Sequence, residues 1–235
     1  MSNKGGDTEF HHALKVHSEL CTGCIHCMAV CPTRAIRVRN GKAMIIANRC
    51  VDCGECYRSC PVSAIGVEQD DLNMIFGFKT RAILIPSVLI GLFSHKIPVT
   101  AIYSALGKIG FTHVYQVENT IDMVLDAYRE FRLANKQRPL ISSFCPAIVR
   151  LIQVRFPSLV DNIMRVNPPI DMSALYYRKK LLSEGNDAKD IGLFYATPCA
   201  AKIAAIKSPV GETESVITGV INMNYLYNKI QGYLQ

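Results

Sequence analysis

Eight of the chain's ten cysteines fall between residues 21 and 60, in two runs that repeat one another. The first reads Leu20-Cys21-Thr22-Gly23-Cys24-Ile25-His26-Cys27-Met28-Ala29-Val30-Cys31-Pro32. The second reads Arg49-Cys50-Val51-Asp52-Cys53-Gly54-Glu55-Cys56-Tyr57-Arg58-Ser59-Cys60-Pro61. Every cysteine and the proline recur at an offset of 29, and the repeat continues through Ala35-Ile36 against Ala64-Ile65 and Val38 against Val67. Thiols crowded in this way are not spaced as a disulfide framework and read as metal ligands. Between the runs, Ile36 to Ile46 reads as two short strands around an Asn40-Gly41 hairpin turn.

The spacing is that of the bacterial ferredoxin run, in which the fourth cysteine of each run serves the other cluster. Three cysteines at three-residue steps wrap one iron–sulfur cube along a short turn and helix. The cysteine before proline points back across the pseudo-twofold. One [4Fe-4S] cluster is therefore expected on Cys21, Cys24, Cys27 and Cys60, and a second on Cys50, Cys53, Cys56 and Cys31. Gly23 and Gly54 let the backbone approach sulfur and donate amide hydrogens to it. A pair of zinc sites is the competing reading, but zinc favours paired Cys-x-x-Cys knuckles, and the doubled run leaves little room for them. His26, between two ligands, is either a neighbour that tunes the cluster or an exposed helix residue.

With 235 residues, 49% apolar and 19% charged, the chain is long enough for a sizeable core and is too apolar for disorder. Three regions are expected: a tail over 1–12, a two-cluster ferredoxin domain over 13–70, and a further domain over 71–235. In the last, candidate strands at Ala82–Ile85, His113–Val117, Leu140–Ser143, Ile191–Tyr195 and Ser215–Gly219 alternate with helical patterns at Ile97–Ile109, Thr120–Leu133, Ala147–Phe156, Met172–Leu182 and Met223–Leu234. The fold class expected is an α+β ferredoxin-like domain followed by an α/β domain with a mainly parallel sheet.

The two remaining cysteines lie just beyond candidate strands, on loops that enter helices: Ser142-Ser143-Phe144-Cys145-Pro146 and Ala196-Thr197-Pro198-Cys199-Ala200-Ala201-Lys202. Ligands of open α/β sheets gather at such carboxyl ends, and a helix amino end beside a thiol favours the thiolate. A shared site and two separate buried cysteines both fit the local pattern.

These loops, following a two-cluster ferredoxin segment, resemble the iron-only ([FeFe]) hydrogenase large-subunit family, and its accessory or sensory branch more than its hydrogen-evolving enzymes. The resemblance implies that Cys145 and Cys199 match cluster ligands and that Lys202 matches the lysine that contacts the di-iron ligands. Phe144 stands where the family has its proton-shuttling cysteine, and Ala205 where it has a glutamate. The family's third loop, with two further cysteines, would lie beyond Gln235. On this resemblance hydrogenase activity is not expected, and a third [4Fe-4S] cluster needs ligands from a partner or a further segment.

The net charge of +7 has no run of five basic residues behind it and argues against nucleic acid as the partner. Two oxidised four-iron clusters on thiolates, each about −2, bring the total to about +3. The longest apolar stretch, Ala82 to Phe93, has twelve residues and contains Pro86, short of the roughly 20 that a bilayer span needs. The opening residues lack a secretory signal. We expect a cytoplasmic iron–sulfur electron-transfer protein, or a subunit of a larger redox complex. Its partners would be a hydrogenase, a formate dehydrogenase, a flavin enzyme or a ferredoxin; the apolar Val88, Ile90, Leu92 and Phe93 are candidates for the interface, with core packing the expected use of most of them. Oligomerisation is compatible with the sequence. The alternative function is a redox or hydrogen sensor, in the manner of sensory [FeFe] hydrogenases.

Overall fold

The 29-residue repeat of the sequence becomes a repeat of structure. The computed structural model describes residues 10–136, 138–209 and 215–234. Strand β1 (Leu14–Val16) leads to helix α1 (His26–Ala29), strands β2 (Ile36–Arg39) and β3 (Lys42–Ile45), helix α2 (Glu55–Ser59) and strand β4 (Ile65–Val67). β1 pairs antiparallel with β4 and β2 with β3. The pairings Leu14↔Val67 and Val38↔Ala43 are images of each other at the sequence offset. β2 and β3 meet at Asn40 and Gly41, both with positive φ, as a tight hairpin requires. Left-handed backbone also recurs at the offset, at Gly23 and Asp52, Ile25 and Gly54, and Arg34 and Ser63.

The second half is built on β5 (Thr80–Ile85), followed by α3 (Ser87–Gly91), α4 (Val99–Ile109), β6 (His113–Gln116), α5 (Ile121–Ala134), α6 (Pro146–Arg155) and α7 (Pro169–Ser183). β7 (Ile191–Thr197), α8 (Ala200–Lys207), β8 (Gly219–Asn222) and α9 (Met223–Leu234) complete it. The four strands lie parallel in the order β6-β5-β7-β8. Period-two alternation divides their side chains between two cores. Ala82, Leu84, Leu193, Tyr195 and Val220 face one side, with Ala174 and Leu181 of α7 and Ile203 of α8. Ile83, Ile85, Phe194, Ala196 and Ile221 face the other, with Leu106 of α4 and Leu226 of α9.

The first of these cores runs on into the cysteine-rich half, through Ala13, Leu14, Ile36 and Ile65. Polar contacts secure the joint. Asp70 accepts from Lys207 Nζ at 2.6 Å and from the Val220 amide at 2.8 Å, and its own amide donates to the Val220 carbonyl. Gln69 accepts from the Asn222 amide.

The structure alters two of the strand expectations. Residues 140–143 make only a single bridge, Ile141 with Ile163, because Ser142 and Ser143 spend their hydroxyls shaping the loop. The last strand begins at Gly219 rather than Ser215, since Ser215 Oγ accepts from the Ile217 amide in a turn. Residues 10–12 of the expected tail are packed, with the Phe10 ring under the Arg150 guanidinium at 3.6 Å. Among the described residues, no helix is long and apolar enough to cross a membrane.

Candidate metal centre

The fold sorts the eight thiols of the runs into two sets of four. Cys21, Cys24, Cys27 and Cys60 line one cavity, walled by Val38, Ala43 and Ile65. Cys31, Cys50, Cys53 and Cys56 line the other, walled by Leu14, Ile36 and Ile45. The cysteine before each proline thus joins the three leading cysteines of the opposite run. Backbone amides aim at sulfur in matching places: Ala35 to Cys31 Sγ at 3.1 Å and Ala64 to Cys60 Sγ at 3.2 Å. Ala43 donates to Cys21 Sγ at 3.4 Å and Asp52 to Cys50 Sγ at 3.5 Å. Four soft thiols, apolar walls and amide donors form a donor set that fits an iron–sulfur cluster in each cavity.

The electrostatics separate the two sets. Burial pushes the Cys50 and Cys56 thiols up to about 12, helped by Asp52 beside Cys50 and by Cys50 beside Cys56. Burial also raises Cys53, and Cys27, where the Cys21 and Cys24 thiols add to it. The Cys24 thiol is exposed and is lowered, by the His26 amide first and the His26 ring second. His26 is therefore both exposed and in contact with a candidate ligand. Buried thiols of this kind become thiolates when a metal supplies the compensating charge.

Sequence reasoning passed over Asp52 and Arg150. Asp52 is 1% exposed and has φ 50°. Its carboxylate accepts from the Ala13 and Leu14 amides at 3.1 and 3.3 Å and meets His12 Nδ1 at 2.7 Å. Those three bonds clamp the start of β1 onto the second run. The signal was available: Asp52 occupies the place of Gly23 in the repeat, where a non-glycine residue needs a reason. Arg150 of α6 donates through Nε to the Cys50 carbonyl at 2.7 Å, which ties the second half of the chain to a candidate ligand.

The two hydrogenase-like loops are placed less completely. Cys145 is the residue before α6 and is exposed; Cys199 precedes α8 and is half-buried, at the carboxyl end of β7. A cavity between α6, α7, α8 and the second run is lined by Phe144, Arg150, Ile170, Lys202, Ala205 and Asp52. Phe144 and Lys202 thus share one wall system, whereas neither thiol is among the lining residues. Lys202 Nζ reaches the Tyr195 hydroxyl at 3.3 Å, and the Phe144 ring meets Tyr128 edge-on.

Among solved structures the chain resembles HydA(deltaEFG), whose structure reveals stepwise [FeFe]-hydrogenase H-cluster assembly, at 19% identity and a TM-score of 0.54, over 68% of this chain and 45% of that one. One variant of the [FeFe]-hydrogenase HydA1 from Chlamydomonas reinhardtii aligns at 19% identity and TM-score 0.55, over 66% and 43% of the two chains. Another aligns at 18% and 0.56, over 68% and 46%. At such identity the likeness is one of fold, and this chain spans less than half the length of those proteins. No curated protein matches the chain. Residues 13–61 match the 4Fe-4S dicluster domain, which bears out the iron–sulfur reading of the runs. Residues 82–230 match the iron only hydrogenase large subunit, C-terminal domain, and the chain belongs to that family.

Proposed function

We propose that this chain is an iron–sulfur electron-transfer protein, or the electron-transfer subunit of a larger redox complex, carrying single electrons through two [4Fe-4S] clusters. The observation that supports it most is the exchange of fourth thiols, Cys60 into the first cavity and Cys31 into the second. When bound, each cluster would supply a one-electron couple whose potential depends on charge, exposure and hydrogen bonds to sulfur. The residues of the chain do the rest. Cys21, Cys24, Cys27 and Cys60 hold one cluster, and Cys50, Cys53, Cys56 and Cys31 the other. The amides of Ala35, Ala43, Asp52 and Ala64 offset negative charge on sulfur. The exchanged thiols keep both centres within one small folded unit, which suits passage of an electron between them.

The remaining residues do not fit a hydrogen-activating centre. Beyond the eight thiols of the runs this chain has two, Cys145 and Cys199, and the Phe144 side chain cannot carry a proton. A third cluster there would need two thiolates from a partner or a further segment, with Lys202 as its neighbour. The partners we propose are redox proteins of the hydrogenase, formate dehydrogenase, flavin-enzyme or ferredoxin kind.

Iron and acid-labile sulfide on anaerobically purified protein, with EPR after reduction, test the reading. About eight irons per chain support it, and about twelve would add the third cluster. Colourless protein holding only zinc overturns it. A redox-sensing function is the second reading, favoured by the bond from Arg150 to the Cys50 carbonyl, which couples the second centre to α6. Hydrogen exchange in α6 that differs between oxidised and reduced protein supports sensing; identical exchange removes it.

A further inference from the structure

The two centres face different surroundings. The second is covered by the other half of the chain: Arg150 bonds the Cys50 carbonyl, and Arg155 reaches the Pro32 carbonyl at 3.4 Å. The first opens outward at Cys24. The β2–β3 hairpin is fixed against this open side. The Gly41 carbonyl lies 2.6 Å from where a β-carbon on Gly23 would sit, and Lys42 Nζ donates to the Cys21 carbonyl at 2.7 Å.

Strand alternation then decides what the hairpin shows to solvent. Val38 and Ala43 line the first cavity, so Arg37, Arg39, Lys42 and Met44 take the opposite face. The stretch from residue 31 to 49 contains Arg34, Arg37, Arg39, Lys42 and Arg49, and no acidic residue. Among the described residues none of these five is in an ion pair. The carboxylates nearest in sequence are engaged: Glu19 with His17 at 3.4 Å, Asp52 with His12 at 2.7 Å and Glu55 with Arg58 at 3.2 Å. Apolar side chains flank the thiols of the same centre, with Leu20 50%, Ile25 53% and Met28 36% exposed, and Met44 54% exposed on the hairpin.

We infer that this face, the β2–β3 hairpin together with Ile25 and Met28, is the docking surface for an acidic electron-transfer protein. The inference rests on the electron-carrier reading and deepens it, by assigning the first centre as the exchange point and naming the charge of the partner. Cations that no carboxylate neutralises steer an anionic partner and orient it, even where they donate to backbone carbonyls as Arg37 and Lys42 do, while exposed methionine and isoleucine supply the adaptable apolar contact. Nucleic acid would meet the same cations but would leave the apolar side chains without a counterpart. In the exchange one electron leaves the reduced chain and reduces one ferric ion of the acceptor; no bond forms and no proton moves.

The test titrates the cluster-loaded full chain with a plant-type [2Fe-2S] ferredoxin, a small acidic carrier, by calorimetry, and follows reduction of that ferredoxin by stopped flow. Arg37→Glu/Arg39→Glu is expected to weaken binding about 10-fold at low salt, and Lys179→Glu/Lys189→Glu, the same charge change in the other half, less than about 2-fold. Binding by the unaltered chain is expected to fall between about 20 and 300 mM salt. Iron content checks that each variant holds its clusters. If the double variant loses iron, Arg39→Glu alone replaces it, with about a 3-fold loss expected. Reduction of a small uncharged quinone separates the two readings. Equal ferredoxin binding by both double variants, with quinone reduction intact, overturns the docking face and leaves the electron carrier standing. Failure of the unaltered, cluster-loaded chain to reduce either acceptor overturns the carrier and the docking face with it. Binding a short single-stranded RNA more tightly than the ferredoxin also overturns the docking face.

Discussion

The first and second cysteine runs share every thiol and the proline at one offset, and both turn left-handed at the same two places. They differ in what fills those places and in what surrounds them. The first run has glycine then isoleucine, Gly23 and Ile25; the second has aspartate then glycine, Asp52 and Gly54. At Gly23 the opposing hairpin leaves no room for a side chain, whereas at Asp52 the carboxylate is itself the clamp that holds β1. The first run looks out through Cys24; the second keeps Cys50 and Cys56 buried, with Arg150 of the other half bonded to the Cys50 carbonyl. Equal thiol spacing thus prescribes equal backbone paths, and the neighbours leave the first site open at Cys24 while covering the second at Cys50.

Unequal responses to matched changes would sharpen this contrast. The largest is expected from Cys56→Ser, which removes a buried candidate ligand of the second centre: on the proposed assignment iron should fall from about eight to about four per chain, with the first centre retained. Loss of all iron would show that the two sites do not stand independently. Next is Gly23→Ala, which forces a β-carbon against the Gly41 carbonyl at φ 74°. We expect a cost of about 4 kcal/mol, read as a large drop in Tm. Asp52→Ala strips three partners of a buried carboxylate and should cost about 3 kcal/mol. Gly54→Ala has an equally left-handed backbone, φ 82°, but open space around it, and should cost only about 1 kcal/mol. Similar losses at Gly23 and Gly54 would refute the steric account. Smallest of all, Ile25→Gly relieves a β-branched residue at φ 63° and should stabilise by about 1 kcal/mol.

Metal-free protein extends the contrast to pH. Cys24, lowered by its bonds to His26, should be alkylated first near neutral pH, as mass spectrometry after a brief iodoacetamide pulse would show. Cys50 and Cys56 should resist, since burial holds them protonated up to about 12. Their folded pKa lies above the ordinary 9.0, so their contribution to stability is complete below pH 9 and is lost as pH rises from there towards 12. A metal-free Tm that rises with alkali across this window would contradict the assignment of burial to the second site.

Much of the fold was legible because periodicity carries it. The strands around Ala82, His113 and Ile191 and the helix Met223–Leu234 stand where alternation and helical spacing put them. Strand β1 was missed because Leu14-Lys15-Val16 is too short to declare itself; its partner, β4, lies some fifty residues away. The offset contains it all the same, since Leu14 stands 29 residues before Ala43 of β3. The strand expected at Leu140–Ser143 has the right residue types for a strand, but its serines hydrogen-bond to the loop and to Val166. Asp52 and Arg150 were hidden for a different reason: a carboxylate between two candidate ligands and a cation on a distant helix acquire meaning only from what they touch.

By itself the sequence determined the eight thiols, the spacing that sets three of each run apart from the one before proline, and the strand–helix alternation that follows, because spacing and periodicity are properties of the chain alone. Tertiary structure decided which centre faces solvent, that Phe144 and Lys202 share a cavity whose lining includes neither Cys145 nor Cys199, and that one apolar core joins the two halves. The physical reason is that exposure, pKa and contact are set by residues brought together from far along the chain, and nothing in the local pattern of either partner records that meeting.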